Sequence, residues 1–240
     1  MEFERYLRNQ NAISPQEQAL LAQKRVVIIG CGGLGGYLLE QLGRLGVGFI
    51  RVVDPDNFEE SNLNRQLLSS TLNLGKPKVL AAKHRMLAVN PLVEVDAIQE
   101  GMTAANATDL LAGCDLVLDA LDNIPDRFIL QQAAKTAQIP LVHGAVAGWQ
   151  GQVCLVLPGQ DLLNLIYGDS EEYSGEEQET GTLAFTVGLI ASLMTAISLQ
   201  TLLNKEIPER KLLLLDAKNL EFTKLSLPIS SSKQQWAGRD

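Results

Sequence analysis

Residues 26–36 read VVIIGCGGLGG, four apolar residues running directly into a cluster of glycines. The segment Arg25 to Gly30, which contains that apolar run, has the pattern of a buried strand. Tyr37, Leu38, Gln41, Leu42 and Leu45 then recur at helical spacing from Leu34 until Gly46 stops them. Gly30, Gly32 and Gly35 satisfy GxGxxG between that strand and that helix, and the next strand, FIRVVD, ends at Asp54. Glycine lets such a turn fold tightly and lets backbone approach a phosphate. The helix amino terminus supplies unpaired N–H groups, and the acid can accept from ribose hydroxyls. A dinucleotide, another phosphate ligand, or a tight turn with no ligand all satisfy the same pattern.

Outward from the loop, strands and helices alternate. Ser14 to Glu17, SPQE, is a capping box with proline at the first helical position, and predicts a helix from Pro15 to about Gln23. Pro77 opens a helix that Pro91 stops, and VEVDAIQ is a third strand. A short helix near Asp109, the strand CDLVLDA, a helix opened by Pro125, and the strands PLVHGAV and GQVCLVL follow. The order predicts an α/β fold with a doubly wound, mainly parallel, Rossmann-like sheet whose ligands gather at the carboxyl ends of the strands. N-terminal helices precede it, and a C-terminal antiparallel extension, KLLLLD and LEFTKLSL about AKN, follows. One domain over residues 1–225 is expected. It comprises a helical arm at 1–25 and a mobile acidic crossover loop at 160–181 with six acidic residues between Asp169 and Glu179, and a loose tail at 226–240 follows it.

The 240 residues are 46% hydrophobic and carry a formal charge of −8. That balance argues against a general nucleic-acid or membrane-surface binder, both of which want a basic face. Cys31, Cys114 and Cys154 are widely separated and include no CxxC pair, so no zinc site or disulfide framework is expected and a reducing cytoplasm fits. The amino terminus lacks the apolar core of a secretory address. Leu183–Leu203 has no charged residue, yet it contains Ser, Thr and Gln200 and has no flanking basic cluster, which predicts a helix buried in the core or at a subunit contact.

Residues beyond the glycine loop discriminate between ligands. A dehydrogenase needs a positioned acid or base, and only His84, on a surface-like helix position, and His143, in a strand, are available. Both read better as structural. The loop after Asp54 instead holds Asn62 and Arg65, then Lys78, and a later strand runs into LDALDN, which places Asp122 near the strand ends. Two cations beside a phosphate loop suit a triphosphate under attack, and a carboxylate at a strand end suits its Mg²⁺.

The pieces GCGGLG, Asp54, SNLNRQ, GKPK and LDALDN, in this order, resemble the ThiF/MoeB/HesA family of ubiquitin-activating-like adenylyltransferases, as do RYLRNQ near the amino terminus and GAVAGWQGQV. The resemblance implies ATP-dependent adenylylation of the C-terminal glycine of a small β-grasp sulfur-carrier protein ending in Gly-Gly. It implies that Gly33 and its neighbours line the adenosine and phosphate site, that Asp54 holds the ribose, and that Asn62, Arg65 and Lys78 contact phosphates. By the same resemblance Asp122 ligates Mg²⁺ with Asn123 beside it, and Arg8 reaches the partner's site in a homodimer. The chain departs from many members in lacking two CxxC pairs and a lid cysteine. No zinc, no covalent carrier intermediate and a separate sulfur donor are therefore expected. An NAD-dependent oxidoreductase is the alternative reading, and a non-catalytic carrier-binding scaffold a third.

Overall fold

A computed structural model describes residues 4–168, 180–207 and 209–228. The acidic stretch 169–179 and most of the predicted tail lie outside the described residues. A 3₁₀ turn, Glu4–Asn9, precedes α1, Pro15–Leu21. The Rossmann-like part comprises β1, Arg25–Ile29, α2, Gly33–Leu45, β2, Phe49–Val53, α3, Lys78–Val89, and β3, Glu94–Ile98. It continues with α4, Ala107–Leu111, β4, Leu116–Asp119, α5, Ile124–Ala137, and β5, Leu141–Ala147. Next come β6, Gln150–Val156, α6, Leu162–Tyr167, α7, Ala184–Leu202, β7, Lys211–Asp216, and β8, Glu221–Ser226.

The described strands form one sheet in the order β3-β2-β1-β4-β5-β6-β7-β8. Neighbours from β3 through β5 are parallel, and β5–β6, β6–β7 and β7–β8 are antiparallel, so the antiparallel part begins one strand before the predicted terminal hairpin of β7 and β8. Strand order reverses between β1 and β4, so crossovers leave in opposite directions there and open a crevice at the carboxyl ends. Alternation along β1 divides the core. Val26 and Ile28 pack with Leu38 and Leu42 of α2 and Met194 of α7, whereas Val27 and Ile29 face Leu130 of α5 and Leu162 of α6. Full burial of each such side chain contributes roughly 1.5–3 kcal/mol.

Local chemistry sets the element ends. The Ser14 hydroxyl accepts from the Glu17 amide while the Glu17 carboxylate accepts from the Ser14 amide, and Lys205 pairs with Glu17 from the far end of the chain. α1 ends at Leu21, before the predicted Gln23, because the Gln23 and Lys24 amides turn back to the Leu20 and Leu21 carbonyls at 3.0 Å and tighten the last turn. The arm is tied to the body where the Arg5 guanidinium and the Tyr6 hydroxyl both engage the Asn90 side chain. α2 ends on Gly46 at φ +88°.

α7 has the length and hydropathy of a membrane span, and eight of its residues, including Val187, Ile190 and Met194, are buried within the chain. A Cβ on Gly144 would stand 2.3 Å from the Met194 sulfur and one on Gly151 2.4 Å from Ile190, so these glycines set how closely α7 lies on β5 and β6. The hydroxyls of Ser192, Thr195, Ser198 and Thr201 return to carbonyls one turn back, leaving no unpaired donor against the sheet. Phe185 and Leu189 are exposed, so burial is one-sided and not all-round as its uniform hydropathy suggests.

Candidate active site

The crevice at the strand reversal is a cleft of about 370 Å³ lined by Gly30, Gly32, Gly33, Asp54, Arg65, Gln66, Lys78, Asp122 and Asn123, among others. Gly32 caps α2 without a side-chain hydrogen bond, which leaves the first-turn amides facing the cleft. Gly30 takes φ +97°, and a Cβ there would lie 2.5 Å from the Ala120 carbonyl oxygen. Gly35 is not at the cleft wall: its Cα presses on the Gly30 carbonyl, with only 2.0 Å for an added Cβ.

Asp54 sits just beyond β2 and is 6% exposed. Its carboxylate accepts from the Cys31 amide at 2.6 Å and the Asp56 amide at 2.8 Å, which bolts the glycine loop to the second strand. Burial pushes its pKa above the ordinary carboxylate range against these donors and Lys78. Each carboxylate oxygen accepts only one of these amides, so a lone pair on each is left for a hydroxyl. Lys78 opens α3, with its amide on the Asp56 carbonyl and its Nζ 2.8 Å from the Asp56 carboxylate and 3.9 Å from that of Asp54.

Asn62 lies behind the wall. Its Oδ1 accepts from the Glu59 amide, and its carbonyl accepts from the Arg65 and Gln66 amides, so it builds the turn that carries those two side chains to the cleft. Gln66 is a residue that motif reading did not single out. Its Oε1 is buried and has no hydrogen-bond partner among the described residues, an unsatisfied acceptor in a side chain that stands at the cleft wall. Asn123 caps α5 by accepting from the Asp126 amide at 2.9 Å. Asp122 is exposed and makes no hydrogen bond or ion pair among the described residues. Arg8 projects from the 3₁₀ turn, exposed and away from the cleft, so within one chain the structure does not bring it to the others.

A second hollow, about 490 Å³, adjoins the cleft and shares Asp122 and Val146 with it; Ala145, Gly151, Gln152, Tyr167 and Asp216 also line it. Among the described residues no group of three or more His, Cys, Asp or Glu side chains could hold a metal. Mg²⁺ needs no such cage, since it is usually bound by one or two carboxylates with phosphate oxygens, and Asp122 beside the glycine loop fits that donor set. The cysteines are buried free thiols, and burial raises the pKa of Cys154 to about 12.

The ThiF family profile matches residues 5–237. The chain belongs to the ThiF family. This ThiF-family chain is 36% identical over 237 residues to a sulfur carrier protein adenylyltransferase of Thermus thermophilus, covering 94% of this chain and 88% of the relative. It is 31% identical over 226 residues to a SAMP-activating enzyme E1 of Haloferax volcanii, covering 92% and 84%. Among solved structures, Escherichia coli MccB with ATP superposes with a TM-score of 0.80 at 21% identity, over 95% of this chain and 73% of that one, a likeness of fold.

His143 is fully buried in β5, and burial first, with the Arg127 charge, pushes its pKa below the ordinary value against the Asp119 hydrogen bond. Folding therefore holds it neutral, while the unfolded chain takes up a proton as pH falls through about 6.5. Its contribution to stability is complete above that pH and declines below it. The melting temperature should fall between about pH 7 and pH 5, and less steeply in His143→Gln. Equal slopes for the two proteins would contradict this assignment.

Proposed function

We propose that the chain adenylylates the C-terminal carboxylate of a small β-grasp sulfur-carrier protein ending in Gly-Gly, releasing pyrophosphate, in a cofactor-biosynthetic pathway supplied by a separate sulfur donor. The observation that carries the reading is the convergence of Arg65, Lys78 and Asp122 on one cleft around the uncapped start of α2. The first-turn amides and Gly32 cradle phosphate, and Asp54 orients the ribose. Arg65 and Lys78 spread positive charge about the phosphates as the carrier carboxylate attacks the α-phosphorus and the bond to pyrophosphate breaks. Mg²⁺, when bound with the nucleotide through Asp122, supplies further charge neutralisation there. The adjoining hollow offers the carrier's terminal segment a route to Asp122. In a homodimer, Arg8 would complete the partner's site.

Carrier-dependent exchange of labelled pyrophosphate into ATP tests the reaction. Exchange is expected with a carrier ending in Gly-Gly and not with the same carrier lacking its last glycine. Titration calorimetry separates the oxidoreductase alternative: Mg-ATP should bind more tightly than NAD, and the reverse order sinks the proposal.

A further inference from the structure

Among the described residues Asp122 has no side-chain partner, so its place depends on the backbone that carries it, and that backbone is held by a buried polar chain. Asp119, the last residue of β4, accepts the Leu121 amide on one carboxylate oxygen at 3.0 Å. Arg127 of α5 donates to the Leu121 carbonyl at 2.7 Å, so both backbone polar groups of the residue before Asp122 are clamped. The two clamping residues are themselves joined. The second Asp119 oxygen lies 2.7 Å from His143 Nδ1, and His143 Nε2 lies 3.0 Å from the Tyr167 hydroxyl. That hydroxyl also accepts from Arg127 Nη1 at 3.0 Å and from Gln152 Nε2 at 2.7 Å.

A phenol has one proton and two lone pairs. With Arg127 and Gln152 filling the lone pairs, its proton goes to His143 Nε2, which puts the imidazole proton on Nδ1, facing Asp119. The hydrogen bonds then close a loop from Leu121 through Asp119, His143, Tyr167 and Arg127 back to Leu121, with Gln152 Nε2 also 3.4 Å from His143 Nε2. Asp119 and His143 are fully buried and Arg127 is 4% exposed, so these three are shut off from bulk water, whereas Tyr167 stands half-buried at the wall of the adjoining hollow.

We propose that Tyr167 and His143, acting through Asp119 and Arg127, are positioning residues that hold the Leu121–Asp122 backbone so that Asp122 meets the metal–nucleotide complex; the proposal rests on the reading of Asp122 as the Mg²⁺ residue. Tyr167 and Arg127 also wall the adjoining hollow, so the same loop ties the proposed carrier route to the nucleotide site.

ATP binding by titration calorimetry, with and without Mg²⁺, tests the clamp without requiring turnover. In the unaltered protein Mg²⁺ strengthens ATP binding, and Asp122→Asn removes that gain. Tyr167→Phe, which deletes one hydroxyl, should lose about tenfold of the gain while metal-free ATP binding stays within about twofold. His143→Gln should do the same, and it covers the case in which Tyr167→Phe does not fold. Full retention of the gain in either folded variant overturns the clamp, and failure of both to fold assigns these residues to stability and also overturns it. If Asp122→Asn keeps the gain, the reading of Asp122 itself fails, a result distinct from loss of the clamp alone.

Discussion

Lys78→Ala is expected to lower carrier-dependent pyrophosphate exchange by about 10²–10³, the range for removing one preorganised group that stabilises transition-state charge. The size of the effect follows from where the ammonium stands. Lys78 is 7% exposed, so its charge acts in a poorly solvated cleft, and its Nζ lies between the Asp54 and Asp56 carboxylates. Removing it deletes a cation that neutralises phosphate and also leaves two acidic groups facing a polyanion. ATP affinity should fall as well. Lys78→Arg should restore little, because a planar fork does not replace a compact ammonium in that space. Exchange within about threefold of the unaltered protein, with binding intact, would remove Lys78 from the reaction.

The second large effect separates two glycines of one fingerprint. Gly35→Ala places a Cβ 2.0 Å from the Gly30 carbonyl, a backbone atom fixed between β1 and α2, and is expected to destabilise the fold by about 3 kcal/mol or more. Gly32→Ala meets only the Gln66 side chain at 3.5 Å, an ordinary contact, so its melting temperature should stay near that of the unaltered protein. Its loss should appear in ATP binding, since the added methyl stands at the wall where phosphate approaches backbone. Thermal unfolding and calorimetry on both variants give the comparison. A stable Gly35→Ala, or a Gly32→Ala that binds ATP unchanged, would contradict this division of roles.

The fold was legible where local chemistry and periodicity agreed. The SPQE cap, the glycine loop, Pro77 and Pro125 each mark an element start that the structure places within a residue or two. The cleft was legible as far as charged residues fall at strand ends, which brought Arg65, Lys78 and Asp122 together on paper. Gln66 was not, because an amide beside a cation carries no pattern, and only burial reveals its unpaired oxygen. The clamp was invisible for a different reason. Asp119 and His143 are neighbours only through the parallel register of β4 and β5, and Tyr167 reaches them from a separate short helix. The one-sided burial of α7 also escaped, since a helix apolar all round does not declare which face meets the sheet.

The change from parallel to antiparallel pairing at β5–β6 divides the sheet by the kind of molecule each half can admit. Parallel strands need a crossover, usually a helix, between each pair, so β1 to β4 are flanked by helices and their crevice is sized for a small ligand. Antiparallel neighbours need only a turn: β7 returns as β8 through residues 217–220, and every residue of β8 is exposed. Among the described residues, the hollow over these strands reaches the edge where the sheet ends. On the proposed function, a carrier resting at that edge would pass its narrow terminus inward to Asp122, and the nucleotide pocket need not widen to receive it.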